Sequence, residues 1–364
     1  MAPHTRRPRA ALLVSTVIIG VLAMSRGSTA VASFDPFDLF RPAVLLRPAD
    51  RSALDRAGTV IVVPPAKGRD LLVFSAIALD PASPRERTAR WLRHIERLRH
   101  NQVVLGSRRL SPSADGSDLD AITLDDADLG DIEDCRPGRC GVKLTRQEIQ
   151  ELRGVIDAAG GDWRRAVQRS FRGIVRRRVE AYVAGGHAAL ADLVDQRLPR
   201  SPASAFARLA ADAPLLDRRV SEALARVAEC PAGFLGPERG FLYWSKERLG
   251  KKSVLAVTHV AFVEPDAGSP LEAVVIAVQV FATHYFDASL AVTAIVRDAN
   301  GAKRYLVHVY RSEVDILDGF WGGLARSIIA GRLKRDGPAV LESVRHRLAN
   351  AEPPEDHART RPAR

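Results

Sequence analysis

The second half of the chain alternates short apolar runs with turn residues. The runs "SVLAVTHVAFV" at 253–263, "VIAVQVFATHYFDASLAVTAIV" at 275–296 and "KRYLVHVYRSEV" at 303–314 are rich in β-branched residues. Apolar runs of this length bounded by Gly, Asn and Asp predict successive strands. Because "DANGAK" at 298–303 has the residues of a hairpin turn, we predict an antiparallel meander.

The first part of the chain also opens with strand-like runs, "GTVIVVPP" at 58–65 and "RDLLVFSAIAL" at 69–79. Two such runs joined by a short turn predict a hairpin. The next segment predicts a helix, since Trp91, Ile95 and Leu98 recur at helical spacing. A further strand is predicted from "NQVVLGSRRL", which follows this helix.

Two helix starts carry a capping-box signature. Ser83 and Glu86 stand three residues apart and flank Pro84, a residue that favours the first helical position. Thr145 and Glu148 repeat the same spacing. We therefore predict helices whose N-caps are Ser83 and Thr145.

A helical block is predicted over 145–229, and its segment 162–183 is strongly amphipathic. Apolar residues lie on one side of this segment. A basic stripe lies on another side and consists of Arg165, Arg169, Arg172 and Arg176. The stripe is compatible with contact to an anionic membrane surface. The commoner alternative is a helix that packs on the core and has a solvated basic face.

The C-terminal part predicts one more helical region and a tail. Residues 319–350 are predicted to close the fold with helix, interrupted at Gly337-Pro338 because proline removes a backbone donor. The final segment "EPPEDHARTRPAR" is polar, which is typical of a disordered tail.

The order of these elements resembles the START-like superfamily, also called the polyketide cyclase, Bet v 1 or helix-grip fold. The segment "DLLVFSAIALDPASPRERTARWLRHIERLRHNQVV" at 70–104 is similar to the opening of that fold. The resemblance implies an α+β fold in which a curved antiparallel sheet wraps a C-terminal helix, here with an inserted helical block. Members of the family bind lipids, sterols or polyketides in an apolar cavity, and some are cyclases or hydrolases. The family has no shared catalytic signature, so no active residue is carried over.

The resemblance and the composition together predict six segments. They are a signal peptide at 1–32, an N-terminal extension at 33–57, the first part of the START-like domain at 58–144, the helical insertion at 145–229, the second part of the domain at 230–350, and a disordered tail at 351–364.

The N-terminal segment has the three parts of a secretory signal peptide. Arg6, Arg7 and Arg9 precede an apolar stretch at 10–24, and "AVA" at 30–32 matches a cleavage site. We expect cleavage after Ala32 and a periplasmic or secreted protein. The alternative is an uncleaved N-terminal anchor.

The chain is basic, with a formal net charge of +11 and a pI near 10.1. An exported basic protein is expected to meet anionic lipid or cell-envelope polymer rather than nucleic acid. No later apolar run approaches the roughly 20 residues that a membrane-spanning helix needs.

The three cysteines divide into a pair and a single residue. Cys135 and Cys140 bracket "RPGR", whose Pro-Gly step is a strong turn signal. In an oxidising compartment this arrangement predicts a small-loop disulfide. A zinc site would need two more ligands nearby, so no metal site is predicted. Cys230 is expected to be a buried apolar residue.

Polar side chains inside the predicted strands raise the question of a binding cavity. A buried polar group without a partner costs on the order of 1–3 kcal/mol, so each one must bond to protein, water or a ligand. The candidate ligand-binding residues are Tyr243, His259, Gln279, His284, Tyr285, Tyr305 and Arg311. His259 and Gln279 are expected to line one wall, whereas Arg311 is an expected anchor for an acidic group. For each histidine, the alternative is a core residue with an internal partner.

Three functions follow as expectations. The first is an exported START-like protein that binds a lipid or other apolar small molecule, without a cofactor. The second is a cyclase or hydrolase on the same scaffold, which needs an acid/base pair in the pocket. The third is a non-catalytic envelope interaction protein with a filled core. The sequence leaves catalytic residues unassigned.

Overall fold

The computed structural model describes residues 35–111, 117–212, 215, 217–229 and 231–355. The predicted signal peptide, Cys230 and the last part of the predicted tail lie outside these residues. In the described part, the α-helices are α1 (Pro48–Ala57), α2 (Arg85–Arg93), α3 (Ile95–Leu98), α4 (Asp126–Glu133), α5 (Arg146–Ala159), α6 (Trp163–Gly185), α7 (Pro202–Ala211), α8 (Arg218–Glu229) and α9 (Gly322–Asn350). The strands are β1 (Thr59–Val62), β2 (Asp70–Ala78), β3 (Val104–Arg109), β4 (Gly240–Leu249), β5 (Lys252–Val263), β6 (Leu271–Ala282), β7 (Phe286–Arg297) and β8 (Arg304–Val314).

The eight strands form one antiparallel sheet in the order β1-β2-β8-β7-β6-β5-β4-β3. The sheet is curved and does not close, so β1 and β3 are its edges. The predicted α+β class, N-terminal hairpin and C-terminal meander are confirmed. Between β2 and β3 the chain crosses the whole sheet through α2 and α3.

Strand alternation gives the sheet two faces with different coverings. One face, here called the packed face, meets the helical block; Phe74, Val257 and Val309 are among its fully buried residues. The other, here called the open face, carries Ser75, Thr258, Thr293, His308 and Tyr310 in the paired register. The crossover helices α2 and α3 pack on part of the open face.

Helix α9 lies at one edge of the sheet, where it packs against β1, β2 and α2. The expected interruption at Gly337-Pro338 is wrong, because α9 continues through Pro338. The proline is exposed, and Gly337 has no side chain where Ile61 of β1 approaches. Apart from Gly322, only Val344 and Leu348 of α9 are buried. The helix therefore covers little of the open face.

The two predicted capping boxes have different outcomes. Thr145 and Glu148 form theirs, with the Glu148 amide donating to Thr145 Oγ1 at 3.2 Å. The box at Ser83 is wrong, since α2 begins after Pro84 with no side-chain cap. The Ser83 carbonyl instead accepts from Arg304 Nη1 at 2.9 Å.

The predicted pairing of Cys135 and Cys140 is confirmed, with sulfurs 1.96 Å apart. Arg136 and Arg139 pair across the turn between them, and Gly138 there has a φ of +86°. Most L-residues are strained at such an angle, so glycine suits the turn. The pair fixes the chain just before Gly141, which contacts a predicted site residue.

None of the helices within the described residues combines the length and the apolar character that crossing a membrane would require.

Candidate functional site

The centre of the open face is incompletely covered. Thr258, Ala277, Ser289, His308 and Tyr310 lie on central strands yet remain partly exposed. Among their neighbours on the packed face, Val257, Leu290 and Val309 are fully buried. Since α9 lies at the sheet edge and the crossover helices cover only part of the face, this strip of the open face keeps partial solvent contact. We call the strip the open-face groove.

An arginine from the crossover reaches this groove. Arg99 immediately follows α3, and its guanidinium lies beside Tyr243, Glu247 and Tyr310. Burial tends to lower the pKa of Arg99, but Tyr243, Glu247 and Tyr310 more than offset it, so the pKa is raised. Arg99 therefore carries a fixed positive charge among hydroxyl groups.

The tyrosines beside Arg99 stay neutral. Burial raises the pKa of Tyr243, which the nearby Arg99 partly opposes. Burial likewise raises the pKa of Tyr310, although the hydroxyls of Ser289 and Ser312 beside it act in the other direction. Neutral phenols can both donate and accept hydrogen bonds, so they suit a ligand's hydroxyl or carboxyl group.

His308 is the groove's histidine. Its Nδ1 lies 2.8 Å from Thr293 Oγ1, while Nε2 has no hydrogen-bond partner among the described residues. Burial and the charge of Arg99 lower the pKa of His308 to about 3. At neutral pH the ring is therefore uncharged and can serve as a hydrogen-bonding group toward a ligand.

Gln279 lies where β6 and β7 separate. Its Oε1 accepts from Ser289 Oγ at 3.0 Å, and its Nε2 donates to the Phe286 carbonyl at 3.3 Å. Backbone pairing between the strands stops at Val278. The hydrogen bonds of the Gln279 side chain thus connect β6 to β7 on the open-face side, where the two backbones no longer pair.

The remaining wall of the groove is apolar. Phe241, Phe262 and Ala277 are partly buried against the cluster beneath α2 and α3. Val73 is half-exposed at the other end of the groove. An apolar lining with a few converging polar groups is the usual character of a small-molecule site.

Of the seven residues predicted from sequence, the structure brings two into this groove, Tyr243 and Gln279. The expected common wall for His259 and Gln279 is wrong, because Gln279 is paired with Thr258 and His259 points to the packed face. A β-bulge beside Val280 changes the register there and places Phe281 on the packed face.

His259 is a core histidine. It is fully buried, and its Nδ1 lies 3.0 Å from the Tyr182 hydroxyl of α6. Burial lowers the pKa of His259 to about 4 and raises the pKa of Tyr182. The pair joins the sheet to the helical block, so His259 lies away from the groove.

Three other predicted residues also lie outside the groove. Tyr285 has a φ of +65° in the β6–β7 turn and packs at the sheet end. Tyr305 packs on Phe37, with ring centroids 5.0 Å apart. Arg311 binds Asp70 through two nitrogens, at 3.0 and 2.9 Å. Because Arg311 already has a bidentate partner, its expected role as a ligand anchor is not supported.

His284 belongs to a cluster that has metal-ligand chemistry. Its ring donates Nδ1–H to the Gly141 carbonyl at 2.7 Å and directs Nε2 toward Asp128 Oδ1, also at 2.7 Å. Ligand atoms of Asp128, Asp131 and His284 all lie within 4.8 Å of one another. One imidazole and two carboxylates would suit zinc or manganese.

The same contacts also account for the cluster without an ion. Lys252 makes an ion pair with Asp131, and His284 bonds Asp128 directly. Each carboxylate therefore already has a cationic or N–H partner. These contacts connect α4 to the β6–β7 hairpin.

A buried ionic cluster lies on the packed face where β7 begins. Lys143 Nζ lies 2.7 Å from Asp287, 3.1 Å from Asp315 and 3.4 Å from Asp195, and the lysine is 2 % exposed. Burial by itself would lower the pKa of Lys143, but the neighbouring carboxylates outweigh this effect. The pKa is therefore raised overall, and Lys143 stays charged. Burial raises the pKa of Asp195.

Arg69 extends this cluster, with Nη1 2.5 Å from Asp287 Oδ2. The β-bulge opposite Glu313 and Val314 places Asp287 in position to meet both cations. Because Lys143 belongs to the chain leading into the helical block, the cluster joins that block to the sheet.

Two further clefts lie on the helical side. One, of about 270 Å³, is lined by two ion pairs, Arg178–Glu148 and Arg177–Glu151, and by His187. The other, of about 310 Å³, is lined mainly by alanines around Phe206. The charged groups of the first are already paired, and the second offers little polar chemistry, so the open-face groove remains the better candidate.

Sequence reasoning missed Arg99, Glu247 and Ser289 as groove residues. In the sequence, Arg99 is one of several arginines at the end of an amphipathic helix. Only the path of the crossover brings it under the sheet. Tyr310 and His308 share a strand face in the sequence, and that alternation was the available signal.

No protein-family model matches the chain, and no curated protein matches it either.

Proposed function

We propose that the open-face groove binds an amphipathic small molecule, a lipid or another largely apolar compound with an acidic or hydroxyl-bearing head group. The observation that carries the proposal is the half-exposure of Thr258, Ala277, His308 and Tyr310 in the middle of the sheet. Central strands usually bury both faces once helices cover them. A bound ligand would cover the surface that these side chains leave exposed.

The polar end of the groove suits the head group. Arg99 supplies a permanent positive charge, and Tyr243 and Tyr310 supply hydroxyls beside it. A guanidinium can hold a carboxylate or phosphate through two parallel hydrogen bonds. Glu247 shares the neighbourhood of Arg99, so a head group that also offers a hydroxyl donor would satisfy both residues.

The apolar end suits the hydrocarbon part. Phe241, Phe262 and Val73 are partly exposed, and Arg109 and Arg93 lie over the rings of Phe241 and Phe262. A chain or ring system would cover the apolar surface that these arginines leave. Burying apolar surface contributes roughly 25 cal/mol per Å². The combination favours a ligand with one polar end over a sugar or a nucleotide.

The wider proposal is that the protein is an exported START-like carrier. The order of hairpin, crossover helix, meander and C-terminal helix supports this proposal, as does the signal-like leader in the sequence. In a helix-grip arrangement, α9 would lie across the open face and close the groove over its ligand.

Native mass spectrometry of the purified protein, followed by extraction of bound small molecules, tests the proposal. We expect a bound lipid-like species, or uptake of one from an envelope lipid extract. Arg99→Met should weaken binding of a carboxylate-headed lipid by about tenfold, the scale of a lost charge-assisted hydrogen bond.

Two variants control this experiment. Tyr310→Phe removes one groove hydroxyl without removing the charge, so it should weaken binding less than Arg99→Met does. His259→Leu alters the packed face and should leave uptake unchanged even if stability falls. Empty protein that takes up no lipid would contradict the proposal and favour a non-catalytic interaction protein. Turnover of a bound ester or polyketide would favour a cyclase or hydrolase.

A further inference from the structure

Exposed apolar side chains concentrate at the start of α9. Among the described residues, ten large apolar side chains are exposed, and half of them fall between residues 316 and 328. They are Ile316, Phe320, Trp321, Leu324 and Ile328, and we call them the α9 patch. Phe320 is 90 % exposed and Trp321 is 69 % exposed. Concentration of such residues on a monomer surface marks an interaction site.

The patch is held on a fixed support. Ala325 and Ile329, on the neighbouring side of α9, pack against the cluster of Leu71, Val314 and Leu317. Gly322 lets the helix start approach the Leu317 carbonyl, where a side chain would collide. Leu324 and Ile328 are four residues apart and form one stripe, which points away from that support.

The charge along the α9 side of the patch has one sign. From Gly319 to Arg335 the chain has four basic residues and no acidic one. The two acids that flank Ile316 are paired, Asp315 with Lys143 and Asp318 with Arg69. Arg332 and Lys334 are exposed, and Arg332 has no ion-pair partner among the described residues. Arg335 pairs only with its neighbour Asp336. Basic groups beside exposed aromatic and aliphatic side chains match an anionic lipid surface.

We infer that the α9 patch docks the protein on an anionic membrane surface. Trp321 and Phe320 enter the interface between head groups and acyl chains, where aromatic rings are favoured. Leu324 and Ile328 follow them, and Arg332 and Arg335 contact the lipid head groups. This inference stands apart from the groove, since it concerns a surface and holds whether or not a ligand is bound.

The basic stripe of α6, the other surface compatible with membrane contact, is less suited. Arg172 donates to the Ile122 carbonyl at 3.0 Å, Arg165 pairs with Asp162, and Arg176 pairs with Glu180. No large apolar side chain of α6 is exposed. Charge alone gives weak, salt-sensitive attraction, whereas the α9 patch adds apolar surface that can insert.

Vesicle co-sedimentation tests the inference, using phosphatidylcholine vesicles with and without phosphatidylglycerol. We expect binding to the phosphatidylglycerol vesicles and loss of at least about tenfold in the double variant Phe320→Ser/Trp321→Ser, from two apolar side chains that no longer insert. Leu198→Ser, at another exposed leucine, should bind as the parent does. All variants share the same N-terminal segment, so differences report the patch.

Two further measurements separate the contribution of the basic residues of α9 from the depth to which Trp321 inserts. Arg332→Gln/Arg335→Gln should bind phosphatidylglycerol vesicles more weakly, by up to about 25-fold, since each basic residue near the surface is worth about fivefold. Arg165→Gln/Arg169→Gln should change binding less. Brominated lipids should quench Trp321 fluorescence, and Trp321→Phe should abolish the lipid-dependent part of that quenching.

Two outcomes would overturn the inference. One is vesicle binding that the α9 double variant leaves unchanged while the α6 variant abolishes it. The other is absence of vesicle binding together with a dimer in analytical ultracentrifugation that the double variant dissociates. The latter result would assign the patch to contact with a second copy of the chain.

Discussion

The packed and open faces of the sheet use polar residues in different ways. On the packed face, His259 meets Tyr182 and His187 meets the Gln279 carbonyl, each within 3.0 Å. On the open face, His308 also bonds through one ring nitrogen, to Thr293, but His308 and Tyr310 keep exposed surface whereas His259 and His187 are buried. Both faces belong to the same strands. A polar residue in a strand therefore does not identify a site; its exposure in the middle of a sheet is the better indicator.

The largest expected effect lies in the buried cluster that joins the packed face to the helical block. Lys143→Met should lower the free energy of unfolding by about 3–5 kcal/mol, because two buried carboxylates, Asp195 and Asp287, and the partly buried Asp315 lose their shared cation. Denaturant unfolding measures this change. Lys303→Met, which removes an exposed pair with Asp55, should change it by less than about 1 kcal/mol. Equal losses of unfolding free energy in the two variants would contradict the expectation that the buried lysine contributes more to stability than the exposed one.

Adjacent residues on β7 compare the faces most directly. Leu290 is fully buried on the packed face, whereas Ser289 points into the groove. Leu290→Ala should cost about 3 kcal/mol through the cavity it leaves. Ser289→Ala should cost under about 1 kcal/mol, since its environment is part-solvated. Thermal and denaturant unfolding of the two variants measure the difference, and similar losses would mean that the open face is packed in solution.

The histidines give the smallest effect, through pH. Burial lowers the folded-state pKa of His259 to about 4, below its ordinary 6.5. The unfolded chain therefore binds more protons as pH falls from 6.5 toward 4, and stability is lost across that window. Between pH 7 and pH 5 the loss from His259 is about 2 kcal/mol.

Comparing stability at those two pH values in His259→Leu and His308→Leu tests this loss. Both variants should flatten the pH dependence, because burial lowers the pKa of His259 to about 4, and burial together with Arg99 lowers the pKa of His308 to about 3. A flattening in His259→Leu alone would indicate that water in the groove solvates the charged form of His308.

The sequence predicted those elements whose cause is local. Alternating β-branched residues with Gly and Asn turns predicted the meander, and Thr145 with Glu148 predicted one helix start. Cys135 and Cys140 could be paired because a Pro-Gly turn brings near neighbours together. Each of these inferences depends on residues within one short segment.

The site could be predicted only in part because it depends on register and on the path of the crossover. A shift of one residue moves a side chain to the other face, and the bulge beside Val280 does this for Phe281. His259 and Gln279 consequently lie on opposite faces. Arg99 enters the groove only because α2 and α3 cross the sheet from β2 to β3, and no local pattern encodes that path.

The pairing of β2 with β8 has a consequence for how the molecule assembles. Asp70 pairs with Glu313, so strands from nearly opposite ends of the chain lie side by side. Contacts between such distant segments slow folding, because the long intervening loop must be closed first. The inner edge of the N-terminal hairpin, strand β2, is covered only after β8 has been synthesised and has paired with it. Synthesis of the chain through β8 therefore precedes completion of the sheet, and a ribosome-bound fragment that ends before β8 leaves the edge of β2 open to aggregation.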